Sequence, residues 1–191
     1  MMIYSSKLYS LFSKYLYIFE RKKLKEKIKI DKNVDAILFG YNRIGFGILK
    51  SLKQIKEKYL VVDFNPDTIA SLTKLRIPCV YGDADDDALL RELPLKNLKI
   101  VISTVPDLDT NELLIETIKT ENPNVIVTVR AHTIDDAMQL YKKGADYVLT
   151  PHFLGGEYLA EMIAKIKTDK DGYKQEKEKH VKMLTERFER G

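Results

Sequence analysis

Cysteine is nearly absent from this chain, and long hydrophobic runs are missing as well. Cys79 is the only cysteine among 191 residues, so neither a disulfide framework nor a cysteine-based zinc site can form within one chain. This composition fits a reducing, cytoplasmic setting. No apolar stretch approaches the roughly 20 residues that a membrane-spanning helix needs. Lys7 and Lys14 interrupt the N-terminal apolar stretch, so we do not expect a signal peptide.

The sequence also offers few residues for catalysis or for binding nucleic acid. The formal net charge of +4 is too small to indicate a nucleic-acid partner by itself. The three histidines lack a ligating partner at the spacing of a zinc motif, and no serine lies in a nucleophile elbow. The acids Asp85 to Asp87 fit a helix start, where the helix dipole favours negative charge, better than a metal site. We therefore predict neither catalytic residues nor metal ligands.

Residues 1–33 differ in composition from the rest of the chain. Apolar and aromatic residues recur at three- and four-residue steps between Tyr4 and Phe19, which predicts one face of a helix. A basic run follows between Arg21 and Lys29. Such an amphipathic, basic linker helix could lie on an anionic membrane surface or dock on a partner, and the pattern leaves both possibilities open.

Strand and helix patterns alternate from residue 34 onward, and the strands are short apolar runs. We predict strands at Ala36–Phe39, Tyr59–Asp63, Cys79–Tyr81, Lys99–Ser103, Val125–Val129 and Asp146–Leu149. This order predicts a Rossmann-like α/β fold, with a six-stranded, mostly parallel sheet and helices on both faces. The domain is expected over residues 34–167, including an amphipathic helix from Gly156 to Lys167. The charged tail of residues 168–191 is either a solvated helix or disordered.

A glycine-containing turn follows the first strand and opens a helix. Gly40 permits a sharp turn, and Gly45 lets the helix pack closely on the sheet, so that the helix N-terminus faces a phosphate. Arg43, at the helix start, could pair with that phosphate. Asn42 stands where the usual pattern has glycine; it tolerates unusual backbone angles, but its side chain takes space. The turn could therefore bind with altered affinity, or bind a mononucleotide rather than a dinucleotide.

An acid ends the second strand, 23 positions after Gly40. Asp63 is placed to accept both ribose hydroxyls of an adenosine and would repel a 2′-phosphate, which favours NAD(H) or an adenine mononucleotide over NADP. Ligands on open parallel sheets bind at the carboxyl ends of strands, so further site residues are expected there. The predicted cofactor site comprises Gly40, Tyr41, Asn42, Arg43, Ile44, Gly45, Asp63, Phe64, Asp83, Ala84, Thr104, Val105 and Arg130.

Together these motifs resemble one known family. The segments that carry the resemblance are Gly40–Gly45, Val62–Asp63, Tyr81–Ala84, Ile102–Thr104, Arg130–Ala131 and Gly144–Val148. They resemble the N-terminal RCK domain of Trk- and Kef-type regulators of potassium conductance, and the resemblance covers about residues 34 to 165. Pro151–Glu157 is similar to the stretch that follows the sheet in Kef-type cation/proton antiporters. The Tyr4–Glu20 helix with its basic run is similar to the linker that joins their membrane domain to the RCK domain.

The resemblance implies a regulator rather than a catalyst. Such domains bind NAD(H), ATP, ADP or AMP, and they gate potassium channels, potassium uptake systems or cation/proton antiporters. They pair as dimers, often through the helix after the sixth strand, so a homodimer or a higher homo-oligomer through residues 155–167 is expected. In Kef-type members basic residues serve glutathione control, and Arg43 and Arg130 match those residues in type. Calcium-gated members carry acids around the fifth strand, where this chain has Arg130, so calcium gating is not expected.

We therefore predict a nucleotide-sensing regulatory domain at the cytoplasmic face of the cell membrane. It would control a potassium or other monovalent cation transporter of the Kef-type cation/proton antiporter class, either as part of a larger antiporter or as a separate subunit. The alternative is an NAD-dependent oxidoreductase with a pocket around Thr104 and His132. Little chain remains outside the sheet for a catalytic domain, which argues against an enzyme. A structural module with an empty crevice is a third hypothesis.

Overall fold

The computed structural model of the protein describes residues 31–41 and 43–188. The predictions for residues 1–30, which make up most of the linker, and for Asn42 lie outside the described residues. Contacts between residues divide the chain into two compact units, one ending at Leu149 and the other beginning at Thr150. The predicted domain limits at residues 34 and 167 stay predictions.

The first unit is built on a six-stranded sheet. Its strands are β1 (Ala36–Phe39), β2 (Tyr59–Asp63), β3 (Cys79–Tyr81), β4 (Ile100–Ser103), β5 (Ile126–Arg130) and β6 (Tyr147–Leu149). They lie in the order β3-β2-β1-β4-β5-β6, and every neighbouring pair is parallel. The predicted Rossmann-like fold is therefore confirmed, with a sheet that is wholly parallel in the described part of the chain.

Five α-helices connect these strands. They are α1 (Arg43–Gln54), α2 (Pro66–Lys74), α3 (Asp87–Glu92), α4 (Leu108–Glu121) and α5 (Ile134–Lys143), and a short 3-10 turn spans Leu95–Asn97. The predicted bounds of β1, β2 and β3 match the observed ones, and the predicted bounds of β4, β5 and β6 differ from the observed ones by one residue. The Asp86 carboxylate accepts hydrogen bonds from the amides of Ala88 and Leu89, as a helix cap does. Gly144 ends α5 with φ 108°, a left-handed conformation that glycine adopts readily.

The two faces of the sheet bury two separate apolar clusters. On one face Leu38 and Val61 pack with Leu49 of α1 and Leu72 of α2. Strand residues of the opposite face pack with α3, α4 and α5, in a larger cluster that includes Ile37, Phe39, Val101, Leu90, Leu114 and Leu140. Because successive side chains of a strand point to opposite faces, apolar residues at every strand position predict a sheet that is covered on both sides.

The second unit consists of two helices, α6 (Pro151–Ile166) and α7 (Lys170–Phe188). Helix α6 begins at Pro151 rather than at the predicted Gly156, because proline fits the first helical turn, where its missing amide donor is not needed. The sequence of residues 169–172 also predicts a break between helices, but α7 already begins at Lys170. Of the two alternatives for the tail, the helix is the one observed. No helix between residues 31 and 188 has the length and apolar character needed to span a bilayer.

Candidate functional site

The carboxyl ends of the strands form one edge of the sheet, because all the strands are parallel. This edge carries Gly40 after β1, Asp63 at the end of β2, Thr104 after β4 and Arg130 at the end of β5. The strand order reverses between β1 and β4, and open α/β sheets bind ligands in the crevice at such a point. These four predicted site residues therefore lie at one edge of the sheet, on both sides of that point.

The turn between β1 and α1 depends on two glycines. Gly40 has φ 82°, a left-handed conformation that side chains other than glycine rarely adopt. A β-carbon at Gly45 would overlap the carbonyl oxygen of Gly40. The first turn of α1 can therefore lie directly against the end of β1 only if residue 45 is glycine. This packing brings the amino end of the helix to the crevice, where its partial positive charge favours an anion.

The carboxylate of Asp63 is bound to the glycine turn. It is buried, and its Oδ2 accepts a hydrogen bond from the amide of Tyr41 at 2.6 Å. Its Oδ1 accepts one from the amide of Asn65 at 2.8 Å. Each carboxylate oxygen has a second lone pair, so both can accept a further hydrogen bond from a ligand. The two amides thus fix the acid in place and leave it acceptor capacity.

Tyr41 lies beside this acid and is half-buried. Its ring is 6.4 Å from the ring of Phe46, measured between centroids, with the two planes tilted by 55°. Burial of the phenol, and to a lesser degree the neighbouring Tyr59, raise the pKa of Tyr41 above its ordinary value of 10.0. The phenol is therefore neutral at physiological pH and adds no negative charge near Asp63.

Thr104 joins the end of β4 to the same turn. Its hydroxyl donates to the carbonyl oxygen of Gly40 at 3.0 Å and to that of Phe39 at 3.3 Å, and its amide donates to Phe39 at 2.9 Å. The side chain is completely buried. The Thr104 hydroxyl therefore stabilises the backbone of the turn and is not offered to a ligand.

Arg130 and Asn111 lie beside the ends of β4 and β5, on the opposite side of β1 from Asp63. The guanidinium Nη1 of Arg130 donates to the carbonyl oxygen of Thr104 at 3.5 Å. The amide Nδ2 of Asn111 donates to the carbonyl oxygens of Val105, at 2.9 Å, and of Arg130, at 3.0 Å. Asn111 was not among the predicted site residues. Its signal in the sequence is a polar residue on the apolar stripe of α4, one turn before Leu114.

The remaining predicted residues lie closer to solvent. Phe64 directly follows β2, and 65% of its surface is exposed. Arg43 and Asp83 are exposed too, and the Asp83 carboxylate accepts a hydrogen bond from the amide of Ala84 at 2.8 Å. The amide of Gly82 donates to the carbonyl oxygen of Asp63 at 3.1 Å, which brings this loop to the end of β2. Hydrogen bonds thus link Tyr41 to Asp63, Thr104 to Gly40 and Arg130 to Thr104, whereas Phe64 and Arg43 are exposed.

Metal ligands are not grouped at this edge. Between residues 31 and 188, leaving aside Asn42, no three histidine, cysteine, aspartate or glutamate side chains are arranged to hold an ion. The polar groups at this edge include backbone amides, the buried Asp63 carboxylate and the Arg130 guanidinium. These are groups that bind a ribose and phosphates.

The strand order, the glycine turn after β1 and the acid at the end of β2 define a Rossmann-like domain. More specifically, residues 36–151 match the TrkA-N domain family, and the chain belongs to that family. The match includes every strand and every described residue of the predicted site.

Three relatives show where similar sequences occur. An uncharacterized protein of Methanothermus fervidus is 34% identical over 145 residues, which are 73% of this chain and 22% of the relative. The probable potassium channel protein 2 of Methanocaldococcus jannaschii is 27% identical over 168 residues, 81% of this chain and 49% of the relative. The glutathione-regulated potassium-efflux protein KefC of Salmonella arizonae is 30% identical over 109 residues, which are 57% of this chain and 18% of the relative. The chain thus spans at most about half the length of these relatives.

Solved structures share the fold at lower sequence identity. The TrkA-N domain of the inner membrane protein YbaL from Escherichia coli has a TM-score of 0.66 and 21% identity, covering 70% of this chain and 99% of that domain. The GsuK channel bound to NAD has a TM-score of 0.57 and 20% identity, and the match covers 75% of this chain and 26% of the channel chain. The Shewanella denitrificans Kef C-terminal domain in its AMP-bound form has a TM-score of 0.60 and 17% identity, and the match covers 81% of this chain and 94% of that domain.

Proposed function

We propose that this chain is a nucleotide-sensing regulatory domain of a potassium or other monovalent cation transporter, of the Kef-type cation/proton antiporter class. The domain would act at the cytoplasmic face of the membrane, in the same chain as the transporter or as a separate subunit. The observation that carries the proposal is the hydrogen bond from the Tyr41 amide to the Asp63 carboxylate. It couples the ribose-binding acid to the turn that would hold a phosphate, so one ligand can engage both.

The residues of the crevice fit an adenine nucleotide. The contact between Gly40 and Gly45 brings the start of α1 to the end of β1, where the helix dipole favours a phosphate, and Arg43 at that start is exposed. The Asp63 carboxylate would accept the ribose hydroxyls, and its charge disfavours a 2′-phosphate, so NADP is disfavoured. The NAD-bound GsuK channel, the ADP-bound GsuK structure and the AMP-bound Kef domain support NAD(H), ADP and AMP as ligands, and ATP is tested beside them.

A sensing role is favoured over an enzymatic one. The named relatives are potassium channel proteins and a potassium-efflux protein. The buried part of the crevice holds Asp63, Thr104 and Asn111, and each already has hydrogen-bond partners in the backbone. Such groups fix strand ends and bind a ligand, whereas general acid–base catalysis needs a group that reaches the reacting atoms. In this role the ligand biases a two-state assembly, and residues 1–30 would pass the change to the membrane.

The assembly we propose is a homodimer through residues 155–167. Helix α6 has no buried residue, although its composition is mainly apolar. Leu159 and Ile163, four residues apart on one side of this helix, are about half exposed, with exposed fractions of 50% and 49%, and Tyr158 beside them is 61% exposed. An exposed apolar stripe of this kind is typical of a helix that packs against a partner.

Titration calorimetry with NADH, AMP, ADP and ATP tests nucleotide sensing. We expect at least one of them to bind the wild-type chain and Asp63→Ala to abolish that binding. Asp35→Ala is the matched control, because Asp35 also accepts a backbone hydrogen bond, from Lys58 at 3.2 Å, but lies at the amino end of β1. The proposal fails if none of the four nucleotides binds, or if both variants lose affinity equally. Hydride transfer between bound NADH and a small substrate would favour the oxidoreductase instead.

Sedimentation analysis tests the dimer separately. We expect the wild-type chain to sediment as a dimer and Leu159→Glu to sediment as a monomer, because the new charge would be buried in the interface. Lys165→Gln, an exposed position on the same helix, changes the net charge by the same one unit and is the control. A monomeric wild-type chain, or a dimer that persists in Leu159→Glu, would exclude this interface while leaving the nucleotide site untouched.

A further inference from the structure

Asn111 is fully buried near the start of α4, and its side chain fixes the ends of two strands. Its Nδ2 donates to the carbonyl oxygen of Val105, which follows β4, and to that of Arg130, which ends β5. Both strands lie on the opposite side of β1 from β2 and Asp63. One amide group therefore holds the half of the crevice that is farther from the ribose-binding acid.

Stability alone does not explain an asparagine at this position. In the described part of the chain two buried side-chain polar atoms lack a hydrogen-bond partner, Oδ1 of Asn111 and Nε of Arg130. A buried polar atom without a partner destabilises the fold, and a leucine on this apolar stripe would avoid the first of them. Departures of this kind concentrate at functional sites. The amide at 111 thus serves the backbone ends that it holds.

The two halves of the crevice are held by different bonds. In the near half the Tyr41 amide binds Asp63, and the Thr104 hydroxyl binds Gly40, without Asn111. In the far half Asn111 holds the backbone from which the Arg130 side chain extends, and the contact of that side chain with the Thr104 carbonyl is long, at 3.5 Å. Loss of the Asn111 amide would therefore loosen the far half while leaving the near half in place.

We propose that Asn111 is a positioning residue that lets the crevice hold ligands reaching from the glycine turn to β5. This inference rests on the nucleotide binding proposed above. AMP would be held by the turn and Asp63 in the near half. A dinucleotide crosses the point where the strand order reverses and so extends to the far half. The affinity for NADH therefore depends on Asn111, and the affinity for AMP does not.

The test compares Asn111→Ala with a matched variant of the same helix. Asn122, which ends α4, also donates from Nδ2 to two carbonyl oxygens, those of Leu95 at 3.4 Å and Leu98 at 2.9 Å. These lie before β4, at the opposite edge of the sheet. By calorimetry on the full chain we expect Asn111→Ala to weaken NADH binding about tenfold, as the loss of one or two hydrogen bonds would, and AMP binding less than about threefold. Asn122→Ala should change neither the affinity for NADH nor the affinity for AMP.

The inference is overturned if Asn111→Ala weakens NADH and AMP equally, or if Asn122→Ala weakens NADH as much. Thermal unfolding of Asn111→Ala and Asn122→Ala measures how much stability each variant loses, so that an effect on binding can be told apart from a loss of stability. If Asn111→Ala does not fold, Asn111→Ser and Asn122→Ser carry the same comparison, since serine keeps one donor. A wild-type chain that binds AMP but not NADH contradicts this inference alone. A wild-type chain that binds none of the four nucleotides contradicts the nucleotide-sensing proposal itself, and this inference with it.

Discussion

The α-carbon of Gly45 lies against the carbonyl oxygen of Gly40, so residue 45 has no space for a β-carbon. Leu38 of β1 bounds the same space from the other side, with its Cδ2 3.7 Å from where that β-carbon would be. The start of α1 is thereby pressed onto the end of β1. The geometry of the proposed phosphate site depends on this single close approach between a helix and a backbone carbonyl.

Gly45→Ala should displace the glycine turn. The added methyl group meets backbone, which cannot rotate away as a flexible side chain can, so we expect a loss of roughly 1–3 kcal/mol in the free energy of unfolding and weaker nucleotide binding. Urea denaturation and calorimetry measure the two effects. Gly156→Ala is the control, because among the described residues no neighbouring atom lies within 4 Å of the place its β-carbon would take, and alanine favours a helix. Equal stability of the two variants would show that the close approach has no consequence.

Thr104→Val tests whether the support beneath the turn affects binding. Valine keeps the shape of threonine but removes the hydroxyl that donates to Gly40, so we expect a loss of about 1 kcal/mol in stability and a lower nucleotide affinity. Thr73→Val is a matched change, because the Thr73 hydroxyl donates to the carbonyl oxygen of Ile69 at 2.8 Å on α2, away from the crevice. It should lower stability by a similar amount without affecting affinity. The idea is wrong if both variants bind as the wild type does.

Phe64→Ala should weaken nucleotide binding without unfolding the domain. Phe64 is 65% exposed beside the proposed ribose-binding acid, so its removal opens little cavity, whereas stacking of a base on an aromatic ring is worth roughly 1–3 kcal/mol. Ile55 is exposed to a similar degree, 63%, just after α1, and Ile55→Ala serves as the control. Calorimetry with AMP compares the three proteins. If Phe64→Ala keeps wild-type affinity, the adenine does not lie on this ring.

The sequence was sufficient to predict the fold and the placement of Gly40 and Asp63 at neighbouring strand ends, because both depend on local patterns. Alternating strands and helices set the topology, and the spacing from Gly40 to Asp63 placed an acid at the next strand end. Asn111 could not be identified in this way. Its two acceptors, in Val105 and Arg130, are brought together only by the packing of α4 against β4 and β5. The start of α6 was missed because Pro151 is equally typical of a helix start and of a turn.

Asp146 should make the stability of the first unit depend on pH in the acidic range. Its Oδ2 accepts hydrogen bonds from Lys119 Nζ and from the amide of Val127, both at 2.7 Å. Burial is the largest single influence and raises its pKa, but the bonds from Lys119 and Val127, with the lysine charge, together hold the pKa below the ordinary 3.8. A carboxyl whose pKa is lowered by folding stabilises the fold while it is ionised. That stabilisation is present above about pH 4 and is lost as the pH falls through the lowered pKa.

Urea denaturation of the wild type and Asp146→Asn between pH 7 and pH 2.5 measures this contribution. At pH 7 we expect the wild type to be more stable by about 1 kcal/mol, a modest difference because the pair is partly exposed and screened by solvent. The difference should shrink below about pH 4, where the carboxylate of the wild type becomes protonated and the asparagine is unaffected. Asp85→Asn removes an exposed acid just before α3 and controls for net charge. A difference that persists unchanged at pH 2.5 would show that Asp146 acts through packing and not through its charge.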